Sequence, residues 1–446
     1  MIKEILKRVI PPPFLEFYHR SFARISAVYY RNPSRRLIVI GVTGTNGKST
    51  TVNLIAELLR CLGFRVGSAS TISFRIGETE RLNNRKMTML GRGELQRMLK
   101  EMVDNRCEYA IIETSSEGIR QFRHLGILYD VAVFTNLTPE HLLSHGGFEN
   151  YKHAKLQLFY YIEKLPKKII NGKEAPRAAI ANGNDEHARD FLSVSVPKKI
   201  AFGIEGKETY GTALTYTATN VYLKKDGSSF SLGSEQFQTP YIGECNVMNV
   251  LAALSTLSVL GFEFKKFAPC VKNLKPLPGR FEFINEGQPF SVMVDYAPEP
   301  ASLKALYETL SLVPYKRLIH VLGSTGGGRD KARRRVLGGM AASKASLIVV
   351  TNEDPYDDNP ESIIKDVAGG ALAGGKTQGK DLFLILDRKE AIAFALSQAR
   401  IGDFVLVTGK GSEQAMAVAH GKKLPWDDRA VIRDILRSKS LVDNLS

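Results

Sequence analysis

The residues Gly44–Thr50 have the types and the spacing needed to hold phosphate groups. Glycines let the backbone curl so that successive N–H groups point inward, and the following helix N-terminus adds positive potential. Lys48 can then reach the outer phosphates, while the hydroxyl of Ser49 or Thr50 can hold Mg²⁺. The G-x-x-G-K-S-T spacing is two residues shorter than the common phosphate-loop pattern. A glycine turn that binds nothing is the alternative, but the strand–loop–helix context favours a nucleoside triphosphate site.

Three further polar residues follow predicted strands or begin a helix. Glu113 ends an apolar strand, where a carboxylate can hold Mg²⁺ directly or through water; a helix-capping acid is the alternative. His141 comes shortly after another strand, on the expected cleft side, which favours function over a structural role. Lys155 lies near the start of an amphipathic helix, and its chemistry alone predicts an ordinary solvated lysine.

Strands that alternate with amphipathic helices must position these residues. From Leu37 onward this alternation predicts a doubly wound α/β domain. The predicted strands are 37–42, 109–113, 130–134 and 178–181, and the predicted helices are 48–63, 93–104, 151–163 and 246–260. Between 198 and 240, short alternating strands predict a small β insertion. We therefore expect a central ATP-binding domain over 37–275, built on a parallel sheet.

A second α/β unit is predicted after the proline-rich stretch Leu274–Gly279, which has the composition of a linker. Its strands are expected at 290–294, 317–322, 347–351, 382–385 and 404–407. We expect this Rossmann-like C-terminal domain to cover 276–446, and its sequence contains no second phosphate loop. Two α/β domains joined by a hinge imply a cleft, which is where ligands usually bind.

The first 36 residues form a basic lead-in, with eight Lys and Arg residues against Glu4 and Glu16. We expect a helical segment that packs on the main body, because large apolar side chains would otherwise be exposed. Contact of residues 1–36 with a membrane surface is the weaker alternative. The apolar side chains concerned are Phe14, Leu15, Phe17, Tyr18, Phe22 and Ile25.

The composition bounds the classes of function. A length of 446 residues and an apolar fraction of 43% suggest two or three domains with well-filled cores. The net charge of +15 favours an enzyme for anionic substrates over a nucleic-acid partner, because no RNA-binding signature or recognition-helix motif is present. The sequence has neither a membrane-spanning window nor a signal-peptide core. The four cysteines lack C-x-x-C spacing, so we expect them neither to staple the fold nor to bind zinc, in a reducing cytoplasm.

A series of ordered motifs over about residues 37–435 resembles the Mur ligase family. The resemblance starts with the phosphate loop and runs through Glu113–Ser116, Phe134–Leu137 with His141, and Lys155. The later motifs are Asn246–Asn249, Pro278–Glu282, Val294–Ala297, Gly323–Asp330, Gly409–Glu413 and Asp427–Arg429. Within the family, the chain most resembles the members that add the third residue of the peptidoglycan peptide.

The resemblance implies a cytoplasmic, ADP-forming ligase that joins an amino acid to the carboxylate of a muropeptide precursor through an acyl phosphate. It also implies ATP, two Mg²⁺ ions, a monomeric state and N6-carboxylation of Lys155. The implied catalytic residues are Lys48, Glu113, His141 and Lys155, and the implied metal ligands are Ser49, Glu113, His141 and Lys155. The implied ATP-binding residues are Gly44, Thr45, Asn46, Gly47, Lys48, Ser49, Thr50, Asn249, Arg280 and Asp295. The implied substrate-binding residues are Thr88, Ser115, Ser116, Glu353, Asp354, Tyr356, Gly409 and Glu413.

The chain departs from the family pattern in several places. The family's N-terminal domain grips the UDP end of the substrate, and about 36 residues are too few for such a domain here. The family's Ser-Ser-His motif ends in Glu117, and its Val-Asp-Tyr-Ala-His motif ends in Pro298. Its Asp-Asn-Pro-Arg motif reads Glu353–Tyr356, so a second carboxylate on the incoming amino acid loses a bidentate partner. We therefore predict that meso-diaminopimelate is not the preferred amine.

Two alternatives remain open at this point. One is a related ligase on another carboxylate, such as a folylpolyglutamate synthase or an amidating Mur-like ligase, although the amidating type carries a four-cysteine zinc insert that this sequence lacks. The other is a binding module that retains ATP without turnover. The presence of every proposed phosphate and metal ligand favours an enzyme.

Overall fold

The described residues form two α/β domains, each built around its own main sheet. The computed structural model describes residues 12–140, 142–210 and 215–443, and the predicted site residue His141 lies outside them. In the first domain the helices are α1 (Pro12–Tyr29), α2 (Lys48–Cys61), α3 (Arg92–Asp104), α4 (Ser116–Arg120), α5 (Leu142–His145), α6 (Phe148–Lys164), α7 (Ala188–Phe191), α8 (Glu244–Val259) and α9 (Ala268–Lys272). Short 3₁₀ helices lie at Pro33–Arg36 and Phe264–Lys266.

The strands of the first domain form one large sheet and a small hairpin. In chain order they are β1 (Ile38–Thr43), β2 (Val66–Ala69), β3 (Ser73–Ile76), β4 (Thr79–Leu82), β5 (Tyr109–Glu113), β6 (Val131–Phe134), β7 (Ile169–Ile170), β8 (Lys173–Glu174), β9 (Ala178–Asn182), β10 (Lys198–Ile204), β11 (Tyr216–Lys224), β12 (Gly227–Leu232) and β13 (Glu235–Thr239). The large sheet has the order β13-β12-β11-β10-β9-β6-β1-β5-β2-β3-β4, and β7 pairs with β8. Its centre is parallel, whereas the outer strands on both edges are antiparallel.

The second domain follows the predicted linker. Its strands are β14 (Glu282–Ile284), β15 (Ser291–Asp295), β16 (Leu318–Leu322), β17 (Leu347–Val350), β18 (Leu382–Leu384), β19 (Phe404–Thr408), β20 (Ala415–Val418) and β21 (Lys422–Pro425). Its helices are α10 (Pro300–Leu310), α11 (Ala332–Lys344), α12 (Pro360–Ala373), α13 (Arg388–Gln398) and α14 (Asp428–Asp443), with a 3₁₀ turn at Ala419–Gly421. The main sheet has the order β14-β15-β19-β16-β17-β18 and is parallel except for β14.

Both parallel sheets are covered by helices on their two faces, which explains why their strands read as continuous apolar runs. The strands β1, β5 and β6 are almost completely buried. Two apolar cores lie on opposite faces of the large sheet and two more on opposite faces of the smaller one. The α/β class and the predicted strand positions are thus confirmed.

Two features of the first domain differ from simple expectation. The strands predicted as a β insertion extend the edge of the main sheet, because β10 pairs in parallel with β9 and β11 pairs with β10. The opposite edge carries the hairpin β3–β4, whose short polar segments gave no clear strand signal in the sequence. Both edges therefore end in antiparallel strands around a parallel centre.

The prediction that α1 buries its large apolar side chains is wrong for most of them. Phe14, Phe17, Tyr18 and Ile25 are more than half exposed. The helix instead packs through small residues, with Ala23 and Ala27 almost fully buried. Small side chains allow a close backbone approach to the rest of the domain, and this close packing directs the large ones outward.

The prediction that the cysteines form no disulfide across the fold is also wrong. A disulfide joins Cys61 at the end of α2 to Cys270 in α9, across a separation of 209 residues. Their Cα atoms lie 6.0 Å apart, because α2 and α9 pack against the same core. Sequence spacing cannot show a pair that only tertiary packing brings together, and the cysteines no longer support a reducing compartment.

No helix among the described residues is long and apolar enough to cross a membrane. This observation agrees with the sequence, where charged residues interrupt every long apolar stretch.

Candidate active site

The phosphate loop lies at the carboxyl edge of the large sheet. Because β1 pairs in parallel with β5 and β6, the C-terminal ends of all three strands lie at one edge. The loop connects β1 to α2, which begins at Lys48. The backbone N–H of Asn46 donates to Oδ1 of Asn136 at 2.8 Å, and this bond ties the loop to the segment after β6.

Two glycines make the path of this loop possible. Gly47, which precedes α2, has φ of 79°, and a Cβ there would lie 2.3 Å from Oδ1 of Asn249. A Cβ on Gly44 would lie 2.0 Å from Oγ1 of Thr135. Only glycine therefore allows the loop to lie this close to both α8 and the end of β6.

Glu113 is fixed at the base of the loop. Its Oε2 accepts hydrogen bonds from Oγ of Ser49 and from the backbone N–H of Thr71, both at 2.7 Å. The carboxylate is almost completely buried, as are the side chains of Ser49 and Thr50. Carboxylate and hydroxyl oxygens are the ligands that Mg²⁺ prefers, so the chemistry of this group fits the predicted ion.

Lys155 is buried rather than solvated, contrary to the interpretation of that residue taken alone. From α6 its Nζ donates to the carbonyl oxygen of Gly44 at 2.6 Å, and it lies 4.3 Å from the ring centroid of Tyr151. Burial, and then the charge of Lys48, lower the pKa of Lys155 well below its ordinary value. The ammonium of Lys48 donates to the carbonyl of Thr45 at 2.6 Å. Two lysines thus converge on one short loop.

A cavity of about 400 Å³ lies between the two domains and is lined by both. The first domain contributes the loop from Thr45 to Thr50, together with Glu113 and Asn249. The second domain contributes Arg280 and Asp295, which follow the linker and end β15. Every predicted ATP-binding residue except Gly44 lines this cavity. Gly44 lies next to the lining residue Thr45, and its carbonyl oxygen accepts the hydrogen bond from Lys155.

The second-domain side of this cavity is held by local contacts. The carboxylate of Asp295 accepts from the backbone N–H groups of Phe281 and Ala297, each at 2.9 Å. The guanidinium of Arg280 lies 4.5 Å from the ring centroid of Tyr296, which is a favourable cation–π position.

A second cavity, of about 370 Å³, opens beside the first. Thr88 and Arg329 line both cavities, so the two spaces adjoin at these residues. The predicted substrate residues Ser115 and Ser116 line the second cavity only. Its other charged lining residues are Lys86, Glu117, Arg120, Arg123 and Asp330, and His145 lines it as well. The excess of positive charge suits an anionic substrate.

The remaining predicted substrate residues form a separate group at the carboxyl ends of β17 and β19. The ammonium of Lys410 donates to Asp354 at 2.9 Å and to Glu413 at 2.7 Å. Lys86 of the first domain also pairs with Asp354, and its Nζ lies 3.2 Å from Glu413. Burial, and then the neighbouring Asp354, raise the pKa of Glu353 to about 7.

Gly409 and Tyr356 complete this group, which we call the amine end of the cleft. A Cβ on Gly409 would lie 2.4 Å from Oε2 of Glu353, and Tyr356 packs against Gly327 of the second cavity. The structure thus brings the five predicted residues of the amine end together, but none of these five lines the two cavities just described. Lys86, which pairs with two of them, lines the second cavity.

Sequence reasoning missed several residues of the site. Arg329 belongs to the motif Gly323–Asp330, which gave a signal, but no role was assigned to the arginine. Arg120 follows Ser116 by four residues, which places both on one face of α4. The Nε2 of His145 lies 3.2 Å from Oγ of Ser116. The residue after Ser116 is Glu117 in this chain, whereas the family motif has a histidine at that position. Nothing in the sequence pairs Lys86 with Asp354.

A phosphate loop that faces a second α/β domain across a cleft is typical of an ATP-dependent enzyme in which two domains close on the reactants. Models of two protein families match the chain, the "Mur ligase middle domain" over residues 42–257 and the "Mur ligase, glutamate ligase domain" over residues 279–411. The chain belongs to the Mur ligase family, as its motifs predicted. Members of this family are ATP-dependent, ADP-forming ligases, so the chain is an enzyme of this class.

Curated relatives match most of the chain. It is 34% identical over 426 residues to the UDP-N-acetylmuramoyl-L-alanyl-D-glutamate–2,6-diaminopimelate ligase of Geobacillus thermodenitrificans (strain NG80-2), covering 94% of this chain and 83% of that protein. It is 33% identical over 424 residues to the UDP-N-acetylmuramyl-tripeptide synthetase of Roseiflexus sp. (strain RS-1), covering 93% of this chain and 82% of that protein.

Solved structures agree with this assignment. A UDP-N-acetylmuramoyl-L-alanyl-D-glutamate–2,6-diaminopimelate ligase superposes with a TM-score of 0.59 at 29% identity, covering 91% of this chain and 79% of that chain. The folylpolyglutamate synthase of Mycobacterium tuberculosis, solved with ADP and AMPPCP, superposes with a TM-score of 0.64 at 16% identity, covering 87% and 92%. This last likeness shows a shared fold alone.

Proposed function

We propose that the protein adds an amino acid to the carboxylate of a UDP-N-acetylmuramoyl-dipeptide type of precursor, in the synthesis of the peptidoglycan peptide. The observation that carries this proposal is the pair of adjoining cavities, one lined by the phosphate loop and one lined by arginines. The names of the curated relatives support the choice of acceptor. We further propose that the enzyme acts as a monomer in the cytoplasm.

The first step transfers the γ-phosphoryl group of ATP. An oxygen of the acceptor carboxylate attacks the γ-phosphorus, the bond to the β-phosphate oxygen breaks, and ADP leaves with an acyl phosphate formed. In the proposed arrangement the loop N–H groups and Lys48 stabilise the charge that spreads over the transferred group. Arg329 adjoins both cavities and would orient the carboxylate toward the phosphate.

The second step forms the amide bond. The amine nitrogen attacks the acyl carbon, a tetrahedral intermediate collapses with loss of inorganic phosphate, and the nitrogen releases its proton. An acyl phosphate hydrolyses in water, so closure of the two domains protects it. The second-domain contacts of Asn46 and Lys86 are suited to hold the closed state.

Magnesium would be held by oxygen atoms at the base of the phosphate loop. We assign one ion to Ser49 or Thr50 with Glu113, and a second to Glu113, His141 and Lys155. The buried bond between Ser49 and Glu113 supports the first assignment, since both oxygens already lie together. The ions would supply charge neutralisation to the phosphates. Glu113 and Lys155 would thereby hold the bound ions between α2 and α6.

We assign Lys155 as an N6-carboxylated ligand. The uncharged amine attacks carbon dioxide, an N–C bond forms and a proton is released, which converts a cation into an anion that suits Mg²⁺. Its position against Gly44 and its buried surroundings support this chemistry. NMR of enzyme equilibrated with isotopically labelled carbon dioxide should show a carbamate signal that Lys155→Ala removes. A wild-type spectrum without that signal would contradict the assignment.

The amine end supports a choice of amino acid. No arginine stands in the Glu353–Tyr356 segment to receive a second carboxylate. Asp354 and Glu413 are already paired with Lys86 and Lys410. A diamino acid with a distal carboxylate therefore finds no unpaired bidentate partner in this segment, and we propose that meso-diaminopimelate is not preferred.

The test is amino-acid-dependent ADP release with UDP-N-acetylmuramoyl-L-alanyl-D-glutamate as acceptor. A panel of amines that includes meso-diaminopimelate, L-lysine and neutral amino acids should give release with at least one amine other than diaminopimelate. A clear preference for diaminopimelate would refute the amine proposal but leave the ligase function intact. A folate acceptor serves as a second arm, because the fold also resembles folylpolyglutamate synthase. Release with folate and none with the muropeptide would refute the acceptor proposal.

A further inference from the structure

Helix α1 is attached to the first domain in an unusual orientation. Its buried face consists of small residues, Ala23, Ser26 and Ala27. Ala27 Cβ would lie 2.9 Å from a Cβ built on Gly126, and Ser26 and Phe22 contact the position of Gly93 in α3. The helix is therefore seated by close contact of small side chains on α3 and on the loop before β6.

The opposite face of α1 is apolar and points outward. At about 100° per residue, its large apolar side chains fall within an arc of roughly 140°, which is one continuous stripe. These side chains are between 41% and 77% exposed. They are Phe14, Phe17, Tyr18, Phe22, Ile25, Val28 and Tyr29. A soluble helix normally turns such a stripe inward, so an outward one marks a binding surface.

Positive charge surrounds this stripe. Arg24, Arg31, Arg35 and Arg36 are exposed on α1 and in the segment after it. The carboxylate of Glu16 is paired with Arg20. Residues 1–36 as a whole carry eight Lys and Arg against two Glu, within a chain of net charge +15. The surface that fits must therefore accept aromatic and aliphatic side chains and also carry negative charge.

An anionic lipid bilayer has both properties. Aromatic rings favour the boundary between headgroups and acyl chains, and basic residues near an anionic surface each strengthen binding about fivefold. A second copy of this chain fits less well, because its α1 offers an apolar stripe but little negative charge: Glu16 is the one acidic residue of the helix and is already paired with Arg20. We propose that α1 docks in the plane of an anionic lipid bilayer, with its stripe in the headgroup boundary and its arginines on lipid phosphates.

The support of α1 is shared with the second cavity. The guanidinium of Arg20 lies 4.5 Å from the ring centroid of Phe122, and the next residue, Arg123, lines that cavity. Docking would therefore hold this cavity close to the lipid surface. The consequence that the muropeptide acceptor would bind close to the lipid surface rests on the proposed function, whereas the docking of α1 itself does not.

The experiment is flotation of the purified full chain with lipid vesicles. One set contains phosphatidylcholine alone, and the other is an equimolar mixture with phosphatidylglycerol. The protein should float only with the anionic vesicles and should be released by raised salt. The triple variant Phe14→Ser, Phe17→Ser and Ile25→Ser should bind at least about tenfold more weakly. The variant Arg24→Gln, Arg31→Gln and Arg35→Gln should lose affinity on the order of a hundredfold.

Matched controls separate docking from loss of folding. The variant Ile169→Ser, Tyr222→Ser and Leu424→Ser removes equally exposed apolar residues elsewhere and should keep wild-type binding. Thermal melting and ADP release in lipid-free solution should be unchanged in the α1 variants. Equal flotation with neutral vesicles, absence of flotation, or undiminished binding of the apolar variant would each overturn the proposal. A dimer in solution that the apolar substitutions dissociate would overturn it in favour of a second copy.

Discussion

The nucleotide end and the amine end of the cleft are built in different ways. At the nucleotide end, the phosphate loop is fixed inside one domain by Asn136 and Thr135. The side-chain amide of Asn46 also donates a hydrogen bond to the carboxylate of Glu299 in the other domain at 2.7 Å. At the amine end, buried charges from both domains meet, with Lys86 of the first domain on Asp354 of the second.

This difference has a physical consequence. A loop held by its own domain keeps its shape whether the domains are open or closed, so it can bind ATP first. The pairs that Lys86 makes with Asp354 and Glu413 form only when the domains close, and closure is favoured because unpaired buried charges are costly. The phosphate loop of the nucleotide end is thus preorganised, whereas the cross-domain pairs of the amine end depend on closure. Three predictions test this contrast.

The largest effect is expected at the nucleotide end. Replacing Lys48 with Met removes the cation that stabilises the transferred phosphoryl group, so kcat should fall by about 10³-fold or more with every amino acid. Steady-state ADP release across the amine panel measures this. Lys225→Met, at an exposed turn position, serves as the control and should behave as the wild type. If kcat falls with only one amino acid, Lys48 also contributes to use of the amine, and the two ends are not separate in function.

An intermediate effect is expected from Glu353, in the pH dependence of stability. Its pKa is raised by burial from 4.5 to about 7, so the folded state binds the proton more tightly than the unfolded state. The free energy of unfolding should therefore fall as pH rises from about 4.5 to about 7, by at most about 3 kcal/mol. Glu353→Gln should lack this decline.

Urea unfolding at several pH values measures the difference between wild type and Glu353→Gln. The exposed Glu361→Gln provides a matched control on α12 and should retain the wild-type slope. Parallel curves for wild type and Glu353→Gln would show that burial does not perturb this carboxylate. Ionising Glu353 would then carry no free-energy cost, and the amine end would lack the buried-charge cost that distinguishes it from the nucleotide end.

The same contrast explains which parts of the molecule could be predicted from sequence. The phosphate loop, Glu113 and the strand ends were predictable, because each depends on local periodicity and on residues adjacent in the chain. The contact between Lys86 and Asp354 spans 268 residues, and the disulfide spans 209. Such pairs arise from tertiary packing and leave no local pattern. The outward stripe of α1 was mispredicted for a related reason, since periodicity reveals a stripe but not the side to which it turns.

The smallest effect is expected from Lys86, and it tests the dependence on closure directly. Lys86→Met removes the cross-domain ion pairs but leaves Asp354 and Glu413 paired with Lys410. Because one cation remains within the cluster, the second domain should stay folded while closure becomes less favourable. We expect kcat/KM for the amino acid to fall about tenfold, equivalent to about 1.4 kcal/mol, with ATP affinity unchanged.

Two measurements make this prediction specific to closure. Isothermal titration with ATP should give the same affinity for wild type and Lys86→Met, and Lys86→Arg should recover part of the lost kcat/KM. Lys100→Met, which removes a surface pair with Asp104 inside the first domain, should change neither quantity. If Lys86→Met weakens ATP binding as much as it weakens use of the amino acid, the two ends close as one unit. The nucleotide end would then depend on closure as strongly as the amine end does.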